Sequence, residues 1–495
     1  MFPNILWICT DQQRFDTIGA LGNPHVSTPN MDRLVAEGVA FTHAYCQSPI
    51  CTPSRASFLT GLYPSAVHIN ANGLESFPPQ PPLVTKRLAD LGYDCGLIGK
   101  LHLSSAYRRI EQRQTDAAGN ISDGYRYWQY SHAPRDDWPQ GHDYADWVRA
   151  QGHSLAELTQ SVEGVPAELH QTTWCAAKTI EFIRQERAGP WLASVNIYDP
   201  HPPFNPPQSY RDQFDPAAMP GPHFRLSDLA QQETLAAIDF QSRVRTPDEL
   251  DIKSPVIPPS PLNADWLAQS TGGQRDAQTL QAAYYAMIKL IDDQLGRILD
   301  ALEESGQREN TIIIFMSDHG EMLGDHGLIQ KGCRFYEGLV RVPMIWSWPG
   351  HFQAGLRSDA LVELTDIAPT LLELAGQTPP TAPAERPMHG RSLLPILTGQ
   401  QPPHHHRDFV RCEYYDALGL ANATHATMYR DARLKLVLYH GHGLGEMYDM
   451  QVDPHEFDNL WDSPAHQMLK LELMQASFDA SVLITDPGPQ RIGPM

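Results

Sequence analysis

The chain is short of the residues that mark several protein classes. Seven cysteines in 495 residues (9, 46, 51, 95, 175, 333 and 412) are too few, and odd in number, for a disulfide framework. Lysine is scarce as well, with eight residues. Lys and Arg together total 37 against 58 Asp and Glu, a net charge of −21. Such a field repels polyanions, so nucleic acid is not expected as a partner. No apolar run approaches the roughly 20 residues needed to cross a bilayer, so no membrane partner is expected either. The first apolar stretch, Ile5 to Cys9, has no basic leader and runs straight into Thr10 and Asp11. It reads as a first strand rather than a signal peptide. A cytoplasmic, reducing location is therefore expected, with the periplasm or the exterior as the alternative if a leader has been removed.

What is present points to a large α/β enzyme. Hydrophobic residues at 41% and charged residues at 19% suit a globular chain. The length suits one large domain and a smaller one. The 42 prolines suggest long ordered loops. Residues 4–10, 191–198 and 311–316 are apolar runs of the kind buried on both faces of a parallel sheet. They end in Asp11-Gln12-Gln13, Asp199-Pro200-His201 and Ser317-Asp318-His319. Ligands in open α/β sheets bind beyond the carboxyl ends of the strands, and three strands delivering Asp and His there exceed what packing requires. Helical patterns cover 28–38, 83–91, 168–187 and 278–305. The stretches 106–165 and 200–265, rich in Pro, Gly and aromatics, read as insertions near the mouth of a site. Residues 378–387 look like a linker, and the short strands 408–414, 427–431 and 433–440 suggest a small antiparallel C-terminal domain. The expected division is 1–385 and 386–495.

The most informative segment is Cys51-Thr52-Pro53-Ser54-Arg55-Ala56-Ser57-Phe58-Leu59-Thr60-Gly61. Pro53 suits the first turn of a helix, whose N-terminal amides and the nearby Arg55 would lower a thiol pKa. On that basis a catalytic thiol and a structural cysteine are about evenly matched. Asp11 and Gln12, with Asp318 and His319, would bring two carboxylates and an amide oxygen to a hard-cation site suited to Ca²⁺. The imidazole of His319 leaves Mn²⁺ open, and a cap or turn is the plainer role for Asp318-His319. Gly99-Lys100-Leu101-His102 places Lys100 and His102 two residues apart, on one face if the segment is extended. Lys331 follows Gly324-Asp325-His326-Gly327-Leu328. Lys100, Lys331 and His201 would each be bland singly.

As a set these residues resemble the type I, formylglycine-dependent sulfatases of the alkaline-phosphatase superfamily, whose Cys-X-Pro-Ser-Arg signature and Leu-Thr-Gly element recur here. The resemblance covers the whole chain and is densest at 4–102 and 311–345. It implies an alkaline-phosphatase-like fold: a mostly parallel sheet flanked by helices, with a smaller C-terminal α+β domain containing an antiparallel sheet. It further implies a sulfuric ester hydrolase acting on aryl or carbohydrate sulfates. Cys51 would be oxidised to formylglycine by a formylglycine-generating enzyme. Asp11, Gln12, residue 51, Asp318 and His319 would bind one divalent metal, Ca²⁺ first and Mn²⁺ or Mg²⁺ as alternatives. Cys51, Arg55, Lys100, His102, His201 and Lys331 would be catalytic. Asp318 would accept the proton of the attacking hydroxyl, His201, with Lys331, would protonate the leaving alcohol, and His102 would serve the expulsion of sulfate. Many members have Asp at the Gln12 position and Asn at the His319 position.

Phosphonate monoester and phosphodiester hydrolases of the superfamily resemble the chain at Cys51, Asp11-Gln12 and Asp318-His319, but typically differ at Lys100 and His102. A further alternative is a pseudoenzyme that keeps the Cys51 thiol and only binds sulfated glycans. Oligomeric state, a homo-oligomer included, is not legible. His404-His405-His406 reads as solvated surface. Asp325 and His326 either touch substrate or shape their loop, and Tyr414, Tyr415 and the Trp-rich part of 128–147 either line the pocket or pack.

Overall fold

The computed structural model describes residues 2–78, 81–105, 113–116, 119–134, 142–160, 164–236, 238, 245–251, 274–380, 386–419 and 423–485. Its main sheet contains β1 (Asn4–Thr10), β2 (Val39–Tyr45), β3 (Asp94–Gly99), β4 (Tyr125–Tyr130) and β5 (Trp191–Ile197). A small pair follows, β6 (Leu250–Asp251) and β7 (Gln274–Arg275). β8 (Thr311–Ser317), β9 (Arg341–Val342), β10 (Met344–Ser347) and β11 (Leu356–Glu363) return to the main sheet. Its order is β11-β2-β10-β8-β1-β5-β3-β4, with β9 on β2. The block β8-β1-β5-β3-β4 is parallel throughout, whereas β10 runs antiparallel between β8 and β2.

The apolar runs fold as their burial demands. All seven residues of β1, of β5 and of β8 are buried, because helices cover both faces. Ile5, Trp7 and Cys9 face a core shared with the helices Cys51–Thr60, Val84–Asp90 and Ile367–Leu374. Leu6 and Ile8 face the other core, under the helices Pro29–Glu37, Gln171–Ile183 and Ala277–Glu304. Since β1, β3, β5 and β8 are parallel and registered, with Gly99 opposite Asn196, Cys9 opposite Asn196 and Thr10 opposite Ser317, their carboxyl ends open on one edge.

A second sheet, β12 (Phe409–Tyr415), β13 (His425–Asp431), β14 (Leu434–Tyr439) and β15 (Leu444–Asp449), is an antiparallel meander. Leu473 and Ala480 of the helix Gln467–Leu483 pack on it. Its other face is continuous with the main core through Val410, Cys412, Met428 and Val437. Buried Lys435 also holds Glu337 at 3.0 Å and Glu456 at 2.6 Å.

Two expectations change. Residues 106–165 are not only an insertion: β4 extends the main sheet, parallel to β3, and the helices Asp143–Ala150 and Leu155–Gln160 follow. β15 was not anticipated, because its Gly445, Glu446 and Asp449 are poor strand formers. Gly445 is required there by the indole of Trp461, which would stand 2.4 Å from an added Cβ. Residues 252–265 of the second expected insertion, 381–385 at the expected domain boundary and 106–112 lie outside the described residues. Among the described residues no helix is long and apolar enough to cross a membrane.

Candidate active site

Strand ends bring the predicted residues together. Asp11 N–H donates to the Asp199 carbonyl at 3.3 Å, Asp318 N–H to that of Thr10 at 3.2 Å, and Lys100 N–H to that of Asn196 at 3.1 Å. Gly99, at φ 96°, permits the last contact, since a Cβ there would lie 2.0 Å from the Asn196 oxygen. Cys51 opens a helix whose ten residues are all buried. Ser54 Oγ donates to the Asp318 carbonyl at 2.5 Å, and Thr52 N–H donates to Asn72 Oδ1 at 3.0 Å. The helix ends at Gly61, φ 72°, whose N–H donates to the Ser57 carbonyl.

Asp11, Cys51, Asp318 and His319 each offer a ligand atom within 4.8 Å of the others, and all four are buried. Cys51 Sγ lies 3.6 Å from Asp11 Oδ1 and 3.2 Å from His319 Nε2. Two further observations fit a cation. Gln12 Oε1 is buried with no hydrogen-bond partner, because its amide nitrogen is committed to Glu321. His319 Nδ1 lies 2.9 Å from the Gly320 carbonyl; a carbonyl only accepts, so Nδ1 carries a proton and Nε2 is the ring atom that faces the cluster, free to bind a cation once its own proton is displaced. Burial would lower the His319 imidazole, but the Asp318 carboxylate, with Cys51, carries it up to about 9. Besides residue 51, the donors are three oxygens and one imidazole, a set compatible with a divalent cation.

Cations surround the same point. Arg55 Nε donates to Asp318 Oδ2 at 2.9 Å, and its Nη1 to the Lys100 carbonyl at 3.1 Å and Asn196 Oδ1 at 3.2 Å. Lys100 pairs with Asp11. Lys331 Nζ lies 2.7 Å from Cys51 Sγ, 3.1 Å from His201 Nε2 and 3.4 Å from His319 Nε2. Burial alone would push the Cys51 thiol up; Lys100, Lys331 and His319 bring it well below the thiol range. Burial would likewise lower Lys331, and Cys51 and Asp11 raise it. These shifts, like that of His319, belong to the thiol form of residue 51. His201 Nδ1 lies 2.7 Å from the Pro202 carbonyl, which fixes the proton on Nδ1 and leaves Nε2 to accept from Lys331. Burial and Lys331 both lower its pKa. Buried His102 is lowered to about 4 by burial and by Lys100, and is hydrogen-bonded to Cys51.

A protein-family model described as Sulfatase matches residues 3–377, and one described as N-sulphoglucosamine sulphohydrolase, C-terminal, matches residues 324–480. The chain belongs to the sulfatase family. It is 29% identical to an arylsulfatase of Clostridium perfringens, covering 94% of this chain and 92% of that protein. It is also 29% identical to the multifunctional alkaline phosphatase superfamily protein PehA of Trinickia caryophylli, over 96% of this chain and 94% of the relative. Among solved structures, the phosphonate monoester hydrolase of Agrobacterium radiobacter superposes with a TM-score of 0.76 at 27% identity, covering 97% and 96% of the two chains.

In this sulfatase every sequence-predicted site residue reaches the cluster, but Lys100 and His102 do so differently from expectation. β3 ends at Gly99, and His102 sits at φ 54°, so a turn rather than an extended face delivers the two side chains. Asp325 and His326 shape their loop. Asp325 pairs with Arg14 at 2.8 Å and accepts from His223 N–H. His326 Nδ1 meets Asp228 at 3.1 Å while its ring stacks on Tyr336. Tyr414 is buried in the core, Tyr415 is held by Arg411, and Trp128 stacks on Tyr130. His404 and His405 are exposed as expected, but His406 is buried beside Asp366, 3.4 Å away. Sequence reasoning missed Asn196, Asn72 and Glu321. Asn196 left a signal, a polar residue inside the apolar run of β5.

Proposed function

We propose that this sulfatase hydrolyses sulfate monoesters of aryl or carbohydrate alcohols, with Cys51 matured to formylglycine by a formylglycine-generating enzyme. The observation that carries the reading is the convergence on residue 51 of a cation-ligand set and Lys331, 2.7 Å from Sγ. Asp11, Gln12, Asp318 and His319 would hold a divalent cation, Ca²⁺ or Mn²⁺, whose charge stabilises negative oxygen at this point. The hydrated aldehyde would supply two hydroxyls at residue 51, one of them the nucleophile.

The remaining work falls to the chain itself. Arg55 orients the Asp318 carboxylate through the 2.9 Å hydrogen bond to Oδ2, so that it accepts the proton of the attacking hydroxyl. Lys100 and Lys331 face the sulfuryl oxygens and offset the charge that grows there in the transition state. His201 and Lys331 share the proton for the leaving alcohol. With Nδ1 of His201 committed to Pro202, that proton rests on Lys331 and passes through Nε2 or directly. Neutral His102 accepts a proton from the second hydroxyl as sulfate leaves.

A second reading, a phosphonate monoester or phosphodiester hydrolase, is favoured by Gln12 and His319 and by the likeness to the Agrobacterium radiobacter enzyme. Lys100 and His102 argue for sulfate. The test is the kcat/KM of one formylglycine-containing preparation on 4-nitrophenyl sulfate, an aryl phosphonate monoester and an aryl phosphodiester. Sulfate should be turned over fastest; a phosphonate or diester preference would select the second reading.

A further inference from the structure

Glu321 lies two residues beyond the Asp318-His319 pair and is completely buried. Its carboxylate is surrounded by donors. Gln12 Nε2 donates to Oε2. Leu323 N–H donates to Oε1 at 3.1 Å, and Gln330 N–H donates to the same oxygen. Its own carbonyl accepts from Arg14 Nη1 at 2.8 Å. One side chain thus joins the turn after β1 to the residue that precedes Lys331.

The joint matters because an amide has two ends of opposite polarity and nearly equal shape. With a nitrogen toward the cluster, Gln12 would present N–H groups to a cation; with oxygen toward it, it presents a lone pair. The Gln12 backbone is already fixed at φ 74°, with its N–H donating to Asp318 Oδ1 at 3.1 Å and its carbonyl accepting from Tyr284 Oη at 2.6 Å. The side-chain orientation is left to Glu321, whose Oε1 is taken by the Leu323 and Gln330 N–H groups and whose Oε2 accepts from Gln12 Nε2. We propose that Glu321 is a positioning residue that fixes the Gln12 amide with Oε1 toward the cation and ties it to the segment carrying Lys331. The proposal rests on the reading of Asp11, Gln12, Asp318 and His319 as cation ligands.

Reversing the polarity at this joint should produce a specific failure and a specific rescue. In Glu321→Gln, the new amide oxygen is claimed by the N–H groups of Leu323 and Gln330, so its NH₂ faces residue 12. Gln12 then turns its oxygen to that NH₂ and its nitrogen to the cluster. Groups that orient metal ligands typically contribute about 10–100-fold in affinity, and a loss of about that size is expected. Adding Gln12→Glu restores the match: one carboxylate oxygen accepts from the NH₂ introduced at position 321 and the other faces the cation.

The experiment titrates chelator-stripped, full-length protein with calcium chloride, and separately with manganese chloride, by calorimetry, with thermal melting as a check on folding. Wild type should bind one equivalent, Glu321→Gln should bind about 10–100-fold more weakly, and the Gln12→Glu/Glu321→Gln pair should regain most of the affinity. Wild-type affinity in Glu321→Gln, or a pair no tighter than Glu321→Gln alone, would overturn the proposal. If Glu321→Gln does not fold, the pair carries the test: it must fold and bind, and a folded pair that binds no cation overturns the proposal. Failure of the underlying reading is distinguishable, since wild type itself would then bind neither ion.

Discussion

His201→Ala separates the two jobs that meet at Lys331. The half-buried imidazole stands 3.1 Å from Lys331 Nζ and gives its other nitrogen to Pro202, so its proposed place is the path of one proton to the leaving oxygen. Lys331 is additionally 2.7 Å from Cys51 Sγ, where its charge acts on the reacting group whatever the alcohol. General acid catalysis contributes about 10²–10⁴-fold where it is needed, or about 3–5 kcal/mol at roughly 1.4 kcal/mol per tenfold. A sugar alkoxide needs that proton; 4-nitrophenolate leaves without it. His201→Ala should therefore slow an alkyl or carbohydrate sulfate by about 10²–10⁴-fold and 4-nitrophenyl sulfate far less. Lys331→Met should slow both. The assay is log kcat/KM against leaving-group pKa for wild type and the two variants. A His201→Ala slope no steeper than wild type would refute the assignment and leave Lys331 as the sole acid.

Three further outcomes follow from the geometry. His102→Ala should let alcohol release outrun sulfate release in the first turnover, with a penalty independent of leaving-group pKa; equal release of both products would place His102 elsewhere in the cycle. Asp318→Asn keeps the shape but removes the charge that Arg55 faces at 2.9 Å, so calorimetry should find cation binding lost and the buried guanidinium left with Asp11, 3.5 Å away, as its remaining counter-charge, at a cost of no more than about 3–5 kcal/mol of stability. Full metal occupancy in that variant would remove Asp318 from the ligand set. Stability should fall as pH drops from about 6.5 to about 4. Burial, with neighbouring arginines, holds His43 and His389 at about 4, and burial with Lys100 does the same for His102. In that window the unfolded chain binds protons that the folded one refuses. His389 Nδ1 accepts from Tyr63 N–H at 3.1 Å, so His389→Gln should flatten the dependence of Tm on pH; an unchanged dependence would exclude this histidine.

The central strands were readable because burial on both faces forces an unbroken apolar run, and β1, β5 and β8 each give way within two residues to an aspartate, Asp11, Asp199 or Asp318. The signature at Cys51–Gly61 marked the position on which the cluster converges, and the acidic and basic residues around it could be named one by one. β4 was not readable as a sheet edge, since Tyr-Arg-Tyr-Trp-Gln-Tyr lies in Pro- and Gly-rich surroundings and most of its residues are only partly covered. The left-handed backbone of Gln12 and His102, φ 74° and 54°, follows from tertiary hydrogen bonds and packing that no local preference announces. The same holds for Glu321, whose partners are 309 residues away at Gln12 and nine away at Gln330. His406 reads as one of three surface histidines, yet Asp366 draws it inside.

Catalysis by this route depends on the chemical state of residue 51. Mass spectrometry of the peptide containing Cys51 should be run on preparations made with and without a formylglycine-generating enzyme, alongside the kcat of each on 4-nitrophenyl sulfate. Turnover should rise in proportion to the aldehyde fraction and extrapolate to zero where only thiol remains. Full activity in protein whose residue 51 is entirely unmodified thiol would contradict the mechanism.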